Sequence, residues 1–380
     1  MTKTKIGGDY NFYAKEDIIY SMETTITETG VSFGKPKLNE VENQAEIEIK
    51  IIKGTFLPLG ITDSKGKIEN KIIAFEIKGK KGNVKNFLFC IRHNGRIVFS
   101  KKIIKTINSR QNIIIEWDGF SNSKIYDSTI FVDGELTVEV IGKKVIAKDV
   151  FKSKYQKAKW VDVKIDNNFN KIDVTLRVNL KNGGRIGNDI PKYSFSDLEI
   201  MTLEGLKTYW SRNKTRSALV PATDFVIING KEYLVTVNPI NAKENAMDDI
   251  SLIYNSTTDW KRSCNPGSIT GILSFFANIF IPERVVYNSQ QRNEERYFKL
   301  TSAHEIGHEI IKTFGGEEYS YAHEGSSTLL TQKQKINPLP ITGENNLMEY
   351  YSDGYYDYDR TLATEKDVLG LIWCSIIKVR

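Results

Sequence analysis

Three of the chain's four histidines, His304, His308 and His323, stand within twenty residues of one another. The first two belong to His304-Glu305-Ile306-Gly307-His308, four positions apart, so on an α-helix both imidazoles project from one face, one turn apart. Two neutral imidazoles so placed can share a tetrahedral Zn²⁺ and leave coordination positions open. Glu305 follows the first imidazole directly, where its carboxylate can reach a metal-bound water without ligating the metal. That arrangement supplies a general base for hydrolysing an amide carbonyl. With His at 4 of 380 residues, chance would produce this motif in fewer than roughly one such chain in a hundred.

A catalytic zinc needs a third protein ligand, and the spacing leaves it open. His323 follows His308 by fifteen positions, and Glu344, Glu349 and Asp353 are carboxylate alternatives downstream. The extended HExxHxxGxxH pattern is absent, because Phe314 stands where its last His belongs, although Met348 with Tyr350 has the look of a Met-turn.

The motif requires a helix, and the sequence provides one. Leu300, Ala303, Ile310, Ile311 and Phe314 back a helix expected over residues 294–314, which Gly315-Gly316 ends. Gly307 inside it costs about 1 kcal/mol against Ala, which asks for something packed close by. A second helix is expected over 196–209, capped by Ser196 with Glu199, and a third over 364–377. Between them, alternating strands are expected at 161–165 and 172–178, with short strands at 251–254 and 285–287. A hairpin turning at Asn229-Gly230 is expected within 225–237. This half is therefore read as α+β.

The preceding part reads differently. From 45 to 147 strongly alternating segments such as 47–51, 72–77, 87–91, 113–117 and 136–140 follow one another with turn signals at Asn94-Gly95 and Asp133-Gly134. Strands at this spacing without a helical period argue a β-sandwich. Trp117-Asp118-Gly119 followed by the 136–140 strand resembles immunoglobulin-like modules of bacterial assembly proteins. A Lys-rich stretch at 148–159 marks a boundary. The expected organisation is a β-rich arm over 1–42 that could serve in docking, an immunoglobulin-like domain over 43–150 and the motif-bearing domain over 155–380.

The motif together with Gly315-Gly316, Tyr319-Ser320, residues 323–327, Gly343-Glu344, Leu347-Met348-Glu349-Tyr350-Tyr351 and Leu371-Ile372-Trp373 resembles the metallopeptidase effector domains of type VI secretion systems, which occur fused to spike-tip proteins. The resemblance extends upstream through 160–163 and 172–179, covering roughly 155–380. It implies a zincin-type fold, with Zn²⁺ held by His304, His308 and Glu344 and Glu305 as base. His323 is then left to stabilise an oxyanion, as could Tyr350 or Tyr351. It also implies a toxin acting on protein or peptide, with secretion-spike components and an immunity protein as partners. No spike segment is recognisable here, although residues 7–14 resemble the β-structure found near such spikes. The rival reading is a non-catalytic adaptor of a secretion apparatus with a structural zinc.

Composition narrows the alternatives. Net charge is +6 with basic residues dispersed along the chain, so a nucleic-acid partner is not expected. Mean hydropathy is −0.36 and no apolar run reaches the ~18 residues of a membrane span. No apolar core follows Lys3 and Lys5, so no ordinary signal peptide is visible, and delivery by a specialised system after cytoplasmic synthesis is expected. Cys90, Cys264 and Cys374 are too few and too scattered for a disulfide framework. His93 falls in a turn.

Overall fold

The computed structural model describes residues 46–52, 54–142, 145–213, 224–264, 283–327, 338–351 and 357–380. The arm expected over 1–42 and the carboxylate of Asp353 lie outside these residues. The chain from Glu40 to Arg380 forms one compact unit. It is mixed α and β, mostly sheet, as expected for α+β.

The first part is all β. Strands β1 (Glu46–Ile52), β3 (Ile73–Lys81) and β6 (Asn112–Trp117) form an antiparallel sheet in the order β1-β3-β6. A second antiparallel sheet runs β5-β4-β8-β9, from β4 (Asn83–His93), β5 (Arg96–Asn108), β8 (Leu136–Ile141) and β9 (Val145–Phe151). Period-2 alternation gives each sheet an apolar face, and Phe75, Phe89, Trp117, Phe131 and Phe151, all nearly inaccessible, fill the space these faces enclose.

The boundary expected at the Lys-rich stretch is not a linker. Phe151 ends β9 in the core, and Ser153–Tyr155 forms β10, while the lysines around them face water. Charge density along a strand records its solvent side, and here it masked the alternation beneath. Two further strands of the first part, β2 (Gly54–Phe56) and β7 (Ile125–Asp127), join sheets of the second. Strand β19 (Ile377–Val379) is bonded by β10 on one side and β2 on the other, and β7 pairs with β11 (Val161–Asp166). A single buried cluster runs through both parts.

The central sheet of the second part is built on the sixteen-residue β12 (Lys171–Ile186). One edge of β12 pairs antiparallel with β11. The other runs parallel first to β14 (Lys231–Asn241), then to β15 (Asp249–Asn255), which pairs parallel with β16 (Arg284–Asn288). Strand β13 (Val226–Ile228) makes the expected hairpin with β14, with Asn229 and Gly230 both left-handed at φ 52 and 75.

Helix α1 (Phe195–Trp210) covers this sheet and packs on α2 (Glu294–Gly315), the motif helix. The capping box of α1 is Ser194 with Asp197, two residues earlier than the Ser196–Glu199 pair that the sequence suggested. The two helices approach so closely that a Cβ on Gly205 would lie 2.2 Å from the Lys299 carbonyl oxygen. Short helix α3 (Glu317–Tyr321) follows, then the paired two-residue strands β17 (Asn345–Asn346) and β18 (Thr361–Leu362), and α4 (Glu365–Trp373). The third helix therefore ends four residues short of Ile377, because the last strand is taken into a sheet. No helix among the described residues is long and apolar enough to cross a membrane.

Candidate metal centre and active site

On α2 the two motif imidazoles lie side by side, ring centroids 4.8 Å apart, with Glu305 on the cleft side. Beyond the helix the chain turns back through α3 and delivers His323 to the same place, 4.7 Å from His308 and 5.3 Å from His304. One ligand atom from each of the three lies within 4.8 Å of the others, and all three residues are buried. Among the described residues this is the group with the makings of a metal site.

The hydrogen bonds fix which nitrogen is available. His304 Nδ1 lies 2.7 Å from the Leu347 carbonyl, which can only accept, so Nδ1 carries the proton. Ser320 Oγ donates to the His308 carbonyl at 2.8 Å and so receives His308 Nδ1–H at 3.1 Å. Ser327 Oγ sits 2.8 Å from His323 Nδ1 and donates its own proton toward the Tyr321 carbonyl. Each imidazole thus spends Nδ1–H on an orienting acceptor and keeps its Nε2 lone pair, the tautomer of a metal ligand. His304 Nε2 is buried without any protein partner. Burial also holds all three rings neutral: it lowers the pKa of His304, drives that of His308 well down with help from its two neighbours, and pushes that of His323 to about 2. Three convergent neutral nitrogens with one orphaned lone pair fit a divalent transition metal.

His323 occupies a costly backbone position. Its φ is 47 and that of Glu324 is 55, both left-handed in non-glycine residues, before Gly325 at 94. Such residues cost of order 1–3 kcal/mol each and persist only where surrounding contacts impose them. Here the Ser326 hydroxyl donates to the His323 carbonyl at 2.7 Å and accepts from Tyr350 N–H at 2.8 Å. Glu324 accepts from the Tyr319 hydroxyl at 3.0 Å and from Asn346 Nδ2, and hydrogen-bonds the buried Asp367 carboxyl, whose pKa burial raises well above normal.

The floor of the site explains Gly307. A Cβ there would lie 2.6 Å from Met348 Sδ and 2.8 Å from Trp210 Cζ2. Trp210 also donates from Nε1 to the Ala303 carbonyl at 3.1 Å. Tyr350, two residues past Met348, stacks on His323 with centroids 3.8 Å apart. Burial, and then the charge of Glu305, raises its pKa to about 12 despite a hydrogen bond with Arg262.

The ligand set implied by the resemblance, with Glu344 third, is not the one this fold brings together. Arg212, only 2% exposed, needs a counter-charge, and its Nη2 donates to both Glu344 carboxylate oxygens at 3.1 and 3.0 Å. His323, expected as an oxyanion stabiliser, stands where the third ligand would be. Glu349 lines the cleft instead, while Asp357 and Asp359 pair with Arg360 and Arg296.

A cleft of about 130 Å³ opens beside His304 and Glu305, walled by Tyr297, Leu300, Leu347, Tyr350 and Tyr351, with Trp260 and Arg262 also lining it. Sequence reading missed Trp260, Tyr297 and Arg262, which carry no motif, and the orienting hydroxyls of Ser320 and Ser327.

No family model and no curated protein matches the chain. Among solved structures it is similar to β-glucuronidase from Ruminococcus gnavus in its apo form, at 7% identity and TM-score 0.16, covering 72% of this chain and 36% of that one. The same enzyme with D-glucaro 1,5-lactone matches at 6% identity, TM-score 0.16, and 72% and 36% coverage. With D-glucuronic acid the figures are 9%, 0.16, 72% and 35%. The chain spans about a third of the length of those enzymes, and at such scores the likeness carries no argument about fold or activity.

Proposed function

We propose that this protein is a zinc-dependent endopeptidase of zincin type. The observation that carries the reading is the buried group of His304, His308 and His323, with one ligand nitrogen from each within 4.8 Å of the others and His304 Nε2 unpartnered, beside Glu305 in the cleft. Bound there, Zn²⁺ would act as a Lewis acid and lower the pKa of a water toward neutrality. Glu305 is the base that takes the water proton as its oxygen adds to the scissile carbonyl, and it returns that proton to the departing amine. The aromatic and aliphatic cleft walls receive substrate side chains and exclude water from the reacting bond.

The resemblance of residues 155–380 supports a wider reading, a toxin delivered by a secretion apparatus, with the immunoglobulin-like part and the N-terminal arm serving its delivery. Replacing Glu305→Gln tests the catalytic core. Zinc content and thermal melting should stay at wild-type values while hydrolysis of an unfolded protein substrate falls by at least ~10²-fold. Retained hydrolysis removes Glu305 as base. A wild-type protein that holds zinc and cleaves nothing favours the adaptor reading instead.

A further inference from the structure

Arg262 has no part in the reaction as described so far, yet the fold takes trouble to place it. Residues 261–264 run beside β16 as an extra antiparallel piece, with Cys264 and Arg284 exchanging backbone hydrogen bonds of 2.9 Å. Ser263 Oγ accepts from Val286 N–H at 2.9 Å. Asn288 grips Lys261 twice, accepting its N–H through Oδ1 and donating from Nδ2 to its carbonyl, both at 2.9 Å. Asn255, itself buried, holds Asn288 with a 2.7 Å bond from Nδ2. The backbone on either side of Arg262 is therefore pinned to a sheet edge, while its exposed side chain lines the cleft with His304, Glu305 and Tyr350.

The guanidinium hydrogen-bonds the Tyr350 hydroxyl, and its charge reaches all three imidazoles, opposing their protonation. A fixed cation there repels a divalent metal in the same site, so metal binding alone gives no reason for it. It is useful where negative charge develops. When water adds to a peptide carbonyl, the carbon–oxygen π pair moves onto oxygen, and that oxygen needs donors.

We propose that Arg262 and Tyr350 are catalytic residues: the guanidinium and the phenol hydroxyl together donate hydrogen bonds to the scissile carbonyl oxygen as it becomes an alkoxide. The water oxygen bonds to carbon and its proton goes to Glu305. The alkoxide pair then returns, the carbon–nitrogen bond breaks, and the proton leaves with the amine. The inference rests on the peptidase reading of the same site.

The test uses full-length zinc-loaded protein and the variants Arg262→Gln, Arg262→Lys and Tyr350→Phe with a fluorogenic peptide. Both Arg262→Gln and Tyr350→Phe should lower kcat about 10²–10³-fold with KM changed only a few-fold. Arg262→Lys, which keeps the charge but loses the fork, should recover part of the loss. Zinc affinity by chelator competition, read without substrate, should be unchanged or slightly tighter in Arg262→Gln. A phosphinic peptide, which mimics the tetrahedral oxygen, should lose affinity in step with kcat/KM. Wild-type kcat in Arg262→Gln overturns the inference alone. So does a rise in KM confined to acidic peptides, which would make Arg262 a reader of substrate carboxylates, and so does loss of zinc. A zinc-loaded wild type that cleaves no peptide overturns the peptidase reading and this inference with it.

Discussion

A methyl group on Gly307 would enter occupied space, 2.6 Å from Met348 Sδ and 2.8 Å from Trp210 Cζ2. Two effects of Gly307→Ala oppose each other. Alanine in the interior of a helix gains about 1 kcal/mol over glycine. Overpacking a filled core costs about 1–3 kcal/mol. Met348 bends readily, but it is wholly buried, and Trp210 is fixed by its bond to the Ala303 carbonyl, so the steric cost should win. A net loss of up to about 2 kcal/mol in the metal-free protein is expected, measured by urea denaturation. Met348 lies one residue past Leu347, whose carbonyl orients His304, so zinc affinity should fall too. Met348→Ala would relieve the clash, and the double variant should be more stable than the sum of the two losses, by ~0.5–3 kcal/mol of coupling. A Gly307→Ala protein more stable than wild type and equally tight for zinc would refute the account of that glycine.

Three other outcomes follow from the geometry. His323→Ala should abolish stoichiometric zinc binding, whereas Glu344→Ala should keep zinc but lose about 2 kcal/mol of stability, below the ~3–5 kcal/mol of a fully buried pair because Glu344 is 26% exposed; zinc analysis with denaturation separates them. Glu283, 6% exposed with one carboxylate oxygen unpartnered, has its pKa pushed well up by burial and by Glu309, so it costs stability as pH rises above the unfolded value near 4.5. Glu283→Gln should therefore stabilise the protein at pH 8 and leave pH 4 nearly unchanged, by denaturation at both. The three buried histidines have depressed pKa values, so the unfolded chain binds protons that the folded one refuses below pH 6.5. Metal-free protein should lose stability on acidification through that value, by up to about 1.4 kcal/mol per pH unit per histidine, and Ala at His308 should flatten the slope.

The motif helix was the most legible element, because period, apolar backing and stop signal all agreed from 294 to 315. The strands expected at 161–165 and 172–178 and the Asn229-Gly230 hairpin were legible for the same reason, each having a local cause, whereas the run of β12 on to Ile186 was not foreseen. That His323 and not Glu344 joins the other two histidines was not legible, although the spacing offered both. The place of His323 depends on a left-handed turn that no local propensity favours and that is imposed by Ser326, Glu324 and the 346–350 segment. Glu344 misled because a carboxylate's partner is set by the fold, and the buried Arg212 lies 132 residues earlier. The joining of the two parts was hidden likewise, since three-residue strands such as β2, β10 and β19 carry too short a pattern to read.

The lacing of those three strands bears on how the molecule can be divided. A piece beginning at 155 would lose β2, β7 and nearly all of β10, stripping both flanks from β19 and one from β11. Ile377 and Val379, now at 0% and 3% exposure, would be laid open on a raw sheet edge, an invitation to clump. The two halves are laced into one compact unit, so a recombination joint between them would carry over a second half with its edge strands stripped of partners.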